Sequence, residues 1–337
     1  MNAPAPRANP RLLGHESAEA QVIEAIRTNR LHHAWLITGP RGIGKATLAY
    51  RFARALLAGQ TEGASLGLPE MHPVFKRVAA SSHADLLTVE REYDPKRKRM
   101  QTEIVIDSVR DVVSFMHLTP ADAACKVVVV DGAETLNRNA ANGLLKVLEE
   151  PPARSVLILT CETAGSLPVT IRSRCRRLEL APLPQADVEM LLGAYMPDLE
   201  PEARARLAGL AEGSIGQALY LASASGIGLA ETVAALLADP RHASRAWLAE
   251  KLEGLTKTDE GFSDFANVLR AMISNAVRAR ARGEAVDGVA ARPLDALIDA
   301  WQRIGELQAL TEDLHQDKLQ AAVMSISLAC GPGQGTQ

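Results

Sequence analysis

The feature that most narrows the folds open to this chain is a glycine-rich turn, Gly39-Pro40-Arg41-Gly42-Ile43-Gly44-Lys45, set between an apolar run and a helical period. Ala34-Trp35-Leu36-Ile37-Thr38 before it reads as a short buried strand. Lys45 to Leu57 after it carries Leu48, Phe52 and Leu56 at helical spacing. Glycines in that context let backbone N–H groups close on a phosphate at a helix N-terminus, where the dipole favours anions, and Lys45 would reach the outer phosphates. The same letters without the flanking elements would be only a turn. With them they make a phosphate loop, which belongs in a sheet covered by helices.

The rest of the first half fits that sheet. Leu86-Leu87-Thr88-Val89 reads as a second strand, and Val127-Val128-Val129-Val130 as a central parallel strand buried on both faces. Asn139 to Leu148 is helical and stops at Pro151-Pro152, and Ser155-Val156-Leu157-Ile158-Leu159-Thr160 is a further buried strand. Strands separated by helices predict a parallel α/β sheet. After Pro182 and Pro184 helical periods take over, with Val188, Leu191 and Leu192 opening a small helical segment to about Leu237 and a joint at Ala238-Asp239-Pro240. Further on, Leu294, Leu297, Trp301, Ile304, Leu307, Leu310 and Leu314 share one side of an amphipathic helix. The expected organisation is a loose tail over 1–10, an α/β core over 11–180, a helical lid over 181–240, an all-helical domain over 241–330 and a frayed tail over 331–337.

Composition removes several classes of function. The formal net charge of −3 lacks the basic excess a dedicated DNA-binding protein uses to neutralise phosphates, so any contact with DNA is expected to be shared with partners. No apolar run is long enough to span a membrane, and the first ten residues hold no apolar segment of a signal peptide. Cys125, Cys161, Cys175 and Cys330 are scattered, without a C-x-x-C pair, which points away from disulfides and zinc and toward a reducing cytoplasm. Lys96-Arg97-Lys98-Arg99, after the turn signal Asp94-Pro95, reads as a solvated loop tip. His32-His33 read as packing or turn residues, and Trp247 and Trp301 as core or subunit contacts.

The loop is incomplete for hydrolysis. The residue after Lys45 should carry a hydroxyl for Mg²⁺ and is Ala46; Thr47 lies one residue late, about 100° round the helix. Asp131 ends the all-valine strand where an aspartate would assist Mg²⁺, but Gly132 stands where a glutamate would polarise water, and Glu134 is on the wrong turn to replace it. Loss of a positioned base costs on the order of 10²–10⁴ in rate. The expectation is a site that leaves room for ATP or ADP, requires neither, and does not hydrolyse.

One segment is far more specific than the loop. Asn142-Gly143-Leu144-Leu145-Lys146-Val147-Leu148-Glu149-Glu150-Pro151-Pro152 resembles the N-A-L-L-K-x-L-E-E-P-P signature of bacterial clamp-loader subunits. Leu167-Pro168-Val169-Thr170-Ile171-Arg172-Ser173-Arg174-Cys175 resembles their L-P-T-I-x-S-R-C motif with Val169 interposed, and His33-Ala34-Trp35-Leu36 and Ile106-Asp107-Ser108-Val109-Arg110 also match. The resemblance covers residues 10–240 by motif and rests on length and helical character beyond them. It implies an AAA+ αβα core, a helical lid and a C-terminal collar that holds subunits in a ring. It also implies that Arg174 acts as an arginine finger in a neighbour's ATP site, and that Thr160 takes a sensor position or is simply a strand end.

Gly213-Ser214-Ile215-Gly216-Gln217-Ala218-Leu219 resembles the family's G-S-x-R-x-A-L motif with Gly216 in place of the sensing arginine. Missing hydroxyl, glutamate and arginine, with the finger kept, resemble the delta-prime stator more than the gamma/tau motor, which is the alternative. The resemblance then implies gamma/tau and delta subunits, the β sliding clamp and primed DNA as partners, within the DNA polymerase III holoenzyme. Many relatives bind zinc through four cysteines after the first helix; Gly59 to Ser82 has none, and His72 and His83 cannot make a four-ligand site.

Overall fold

Apolar runs that alternate with helical periods must bury both faces of each strand, and the computed structural model shows how. It describes residues 3–59, 65–94, 99–238, 261–283, 289, 292–314 and 317–331, which divide into two compact units: 1–198 with 213–216, and 199–212 with 217–337. In the first unit the elements are α1 (Glu16–Arg27), β1 (Ala34–Thr38), α2 (Lys45–Ala58), α3 (Pro73–Ala79), β2 (Leu86–Val89), β3 (Tyr93–Asp94), β4 (Arg99–Met100), α4 (Ile106–Met116), β5 (Lys126–Val130), α5 (Arg138–Glu149), β6 (Ser155–Cys161), α6 (Val169–Arg172), β7 (Arg176–Glu179) and α7 (Gln185–Tyr195). Five parallel strands lie in the order β2-β5-β6-β1-β7, and β3 and β4 form a separate antiparallel ribbon.

Successive side chains on the strands take opposite faces. Trp35, Ile37, Val127, Val129, Val156 and Ile158 pack with α1, α2 and α3, whereas Ala34, Leu36, Val128, Val130, Leu157 and Leu159 pack with α4, α5 and α6. The expected αβα core with a parallel sheet is present. Unlike the apolar central strands, β7 (Arg-Arg-Leu-Glu) is an edge strand with only Leu178 buried, and it gave no sequence signal.

At the N-terminal ends of β2 and β5 the sheet is pinned by one buried ion pair. Asp85 and Lys126 meet at 2.9 Å with side chains 0% and 5% exposed, and Asp85 also accepts from the backbone N–H groups of Ala121, Asp122 and Ala123 at 2.7–2.8 Å. Burial alone would push this carboxyl up, but the three N–H groups and Lys126 hold it well below the usual carboxylate range.

The first ten residues, expected to be a loose tail, are held against the core from Arg7 onward. Pro6–Ala8 form a 3₁₀ turn. Arg54, on the buried side of α2 and 0% exposed, donates to the carbonyls of Arg7 and Asn9, both at 2.9 Å, and Arg51 donates to Pro10 O at 2.6 Å and to Glu19 Oε1 at 2.7 Å. Asn9 Nδ2 donates to Tyr195 Oη at 2.9 Å. The reason is donor accounting: buried guanidinium groups need acceptors, and backbone carbonyls of a sequence without apolar periodicity supply them.

The second unit holds α8 (Pro201–Leu210), most of α9 (Ile215–Leu221), α10 (Ala224–Ala238), α11 (Gly261–Ala281), α12 (Leu294–Leu314) and α13 (Lys318–Cys330). The boundaries differ from the expected lid over 181–240 and domain over 241–330. α7 belongs with the sheet, while Leu207, Leu210, Leu221, Val233 and Leu236 share one core with Phe262, Phe265, Leu269, Leu297 and Ile304. On α12 the buried face runs through Leu297, Ala300, Ile304, Leu307 and Thr311; Leu294 and Leu310, expected on it, are 37% and 50% exposed, because the helix is covered over less of its circumference than its leucines suggest. Arg270 covers the Trp301 ring at 4.1 Å. Asp239, Pro240, Trp247, Lys96, Arg97, Lys98, the Arg99 side chain and residues 332–337 lie outside the described residues. Among the described residues no single helix is long and apolar enough to cross a membrane.

Replacing Asp85 by Asn leaves Lys126 charged and buried, so urea unfolding of Asp85→Asn is expected to show a loss of about 3–5 kcal/mol. Because the folded carboxyl is held down, this advantage of the wild type is present above the unfolded pKa of about 4 and shrinks as the pH falls below it.

Candidate phosphate-loop site

β1 delivers the glycine-rich turn to the C-terminal edge of the sheet, where Gly39 N donates to Glu162 O at 3.2 Å. Gly39, Gly42 and Gly44 have φ of 146°, 74° and 110°, which bends the loop back into α2. Its five carbonyls are each taken by a donor of the same chain. Lys45 Nζ donates to Gly39 O at 2.8 Å and to Pro40 O at 2.9 Å. Ser214 Oγ donates to Arg41 O and Gly216 N to Gly42 O, both at 2.9 Å. His15 Nε2 lies 2.7 Å from Ile43 O, and since a carbonyl only accepts, that nitrogen carries the proton.

The contact with segment 213–216 is backbone against backbone. A Cβ on Gly216 would stand 2.8 Å from Gly42 Cα, and one on Gly42 would collide with Ser214 Oγ and stand 3.0 Å from Gly216 Cα. Each glycine therefore requires the other. No side chain, least of all an arginine, fits at 216 without moving the loop.

Asp131, at the end of β5, and Thr160, on the neighbouring β6, meet as parallel strands of this order require. Thr160 Oγ1 donates to Asp131 Oδ1 at 2.5 Å and accepts from Gly132 N at 3.0 Å, so this hydroxyl ties the aspartate to its own turn. Gly132 has φ 76° and begins the 3₁₀ turn Ala133–Thr135. A glutamate there would have to adopt a left-handed backbone, so the absent base is built into the turn's geometry. Thr47 is buried, whereas Ala46 is partly exposed beside Lys45, in line with the offset read from the sequence. Lys45 is pushed below its usual pKa by burial, and Glu162, Glu134 and Asp131 oppose that by attraction. Glu134 reaches this neighbourhood, but its Oε2 is buried without a hydrogen-bond partner.

Arg174 lies elsewhere. His33, just before β1, contacts Leu148 O at 3.2 Å, and β7 pairs with β1 so that Arg176 faces Trp35 and Glu179 faces Thr38. Arg174 precedes β7 and is bound to Glu149 next to Leu148, so it stands at the start of β1. The loop follows the end of β1, about 16 Å further along a five-residue strand. Arg174 Nη1 donates to Thr170 O and Nη2 pairs with Glu149 Oε1, both at 2.9 Å.

The remaining candidates are structural. His72 Nδ1 caps α3 by accepting from Val74 N, and His83 Nδ1 accepts from Asp85 N. His32 and His33 stack on each other. Burial pushes the thiols of Cys125, Cys161 and Cys330 up to about 11 and that of Cys175 to about 12. Among the described residues no group of three or more His, Cys, Asp or Glu could hold a metal ion. The structure brings Lys45, Asp131 and Thr160 to the same end of the sheet, while sequence reasoning missed the contacts of His15 and Ser214 with the loop and of Glu149 with Arg174. Glu149 and Ser214 carried a signal, each inside a recognised segment, whereas His15 carried none.

A phosphate loop after β1, an aspartate ending β5 and a hydroxyl on the strand between them define a P-loop protein of the AAA+ type. The chain belongs to the family described as "DNA polymerase III, delta subunit", whose profile matches residues 14–184. Its motifs accordingly fall among the clamp-loader subunits of bacterial DNA polymerase III.

DNA polymerase III subunit delta' of Pseudomonas aeruginosa is 38% identical over 183 residues, 54% of this chain and 53% of that one, so the chain spans about half the length of this relative. Subunit delta' of Yersinia pestis is 28% identical over 73% of this chain and 76% of its own. Subunit tau of Escherichia coli is 30% identical over 66% of this chain and 34% of its own.

A glutamate forced into the left-handed turn at 132 costs about 1–2 kcal/mol. Chemical denaturation of Gly132→Glu is expected to show that loss, and the isolated variant to remain without Mg²⁺-dependent ATP hydrolysis.

Proposed function

We propose that this chain is the stator of a DNA polymerase III clamp loader. In this reading it supplies Arg174 in trans to a neighbouring ATPase subunit while its own phosphate loop serves as a rigid, non-hydrolysing interface. The observation that carries the reading is the separation along β1. Arg174 stands at the start of the strand and the chain's own loop at the end, so the guanidinium cannot serve its own site. A guanidinium brought against developing γ-phosphate charge from outside is worth about 10³–10⁵ in rate. Support also comes from the sequence of the loop: Ala46 and Gly132 offer neither a hydroxyl for a metal nor a carboxylate for water. The partners in this reading are gamma/tau and delta subunits, the β sliding clamp and primed DNA, in the bacterial cytoplasm. ATP or ADP is not required by this chain, and the C-terminal helices within 241–330 serve as the oligomerisation collar.

The rival is an active motor of the gamma/tau kind, favoured by the 30% identity to a tau subunit. It demands turnover by the isolated chain. The deciding experiment is ATPase activity of the loader reconstituted with its cognate subunits, clamp and primed DNA. With Arg174→Ala the rate is expected to fall by about ten-fold or more, with the isolated chain inert. An unchanged loader rate would remove the finger, and Mg²⁺-dependent hydrolysis by the isolated chain would restore the motor.

A further inference from the structure

Arg174 is gripped from two elements, and one of the grips is hard to account for by stability. Glu149 is the last residue of α5, and Pro151-Pro152 prevent the helix from continuing. The C-terminal end of a helix carries partial negative charge and disfavours a carboxylate. Glu149 sits there with its side chain 51% exposed and pairs with Arg174, itself 35% exposed, through one N–H···O contact of 2.9 Å. Exposed pairs of this kind add little to folding free energy. What such a pair does supply is orientation, because an arginine otherwise keeps many rotamers open.

The base under Glu149 is rigid. Asn137 caps α5 by accepting from Ala140 N, Leu144, Val147 and Leu148 are buried against the sheet, and His33 holds Leu148 O. The second grip, Arg174 Nη1 on Thr170 O, comes from α6. Two acceptors on separate anchored elements thus fix the plane of the guanidinium while part of the side chain stays open to solvent. Val169, on the same short helix, is 67% exposed.

We infer that Glu149 is a positioning residue, which holds the Arg174 guanidinium in the orientation that a neighbouring subunit's nucleotide phosphate receives. The inference rests on the trans role of Arg174 proposed above and adds the group that pre-organises it. A finger that arrives already oriented avoids the ordering cost at the moment of reaction, so the effect falls on kcat rather than on ATP affinity. Glu149 touches no substrate.

The test is a double-mutant cycle in the reconstituted loader with clamp and primed DNA, using wild type, Glu149→Ala, Arg174→Ala and the double variant. Glu149→Ala is expected to lower kcat about three- to ten-fold with KM for ATP unchanged. In the Arg174→Ala background the same change is expected to have no further effect, since a residue acting through another is silent without it. Glu149→Gln, which keeps an acceptor at the same place, is expected to recover most of the rate.

If Arg174→Ala slows the loader but Glu149→Ala does not, or slows both backgrounds equally, the positioning role falls and the finger stands. A faster loader with Glu149→Ala would mean that the pair restrains Arg174, and also overturns the inference. If Arg174→Ala changes nothing, the finger falls and the positioning role with it.

Discussion

Burial of both faces of the sheet is the constraint from which the rest of this structure follows. β1, β5 and β6 are apolar over almost their whole length, and only their ends meet groups that can hydrogen-bond. Polar chemistry is therefore driven to the two edges of the sheet. At one edge Asp85 and Lys126 settle their charges in private, and Glu149 and Arg174 meet in the open. At the other edge lie Lys45, Asp131 and Thr160. The strand between the two edges separates what the chain does for itself from what it offers outward.

The phosphate loop is tied down by donors from its own chain. In a hydrolytic site the lysine, the aspartate and the lid wait for phosphate, metal and water. Here Lys45 turns onto the loop's own carbonyls, Thr160 fastens Asp131, and Ser214 and Gly216 fasten the loop from the far side. These bonds need no ligand.

Much of the core was legible because the signals were local. An all-valine run with charge at both ends, a glycine turn between strand and helix and a proline pair after a helix each restrict the backbone directly. β7 was not legible, because Arg176-Arg177-Leu178-Glu179 is charged and earns its place only by pairing with β1. The N-terminal stretch failed for a related reason: Arg51 and Arg54 use its carbonyls, and carbonyls leave no trace in side-chain pattern. The site divided the same way. Gly39 to Lys45, Asp131 and Arg174 announce themselves in motifs, whereas His15 reaches the loop from distant sequence without one.

The paired glycines at 42 and 216 also limit substitution. Because each occupies space that the other's side chain would need, an arginine placed at 216 alone would have to displace the loop. The newcomer's Cβ meets the Gly42 backbone before its guanidinium can reach anything. Gly132 differs: a Cβ there has room, so a glutamate meets only the modest cost of a left-handed backbone.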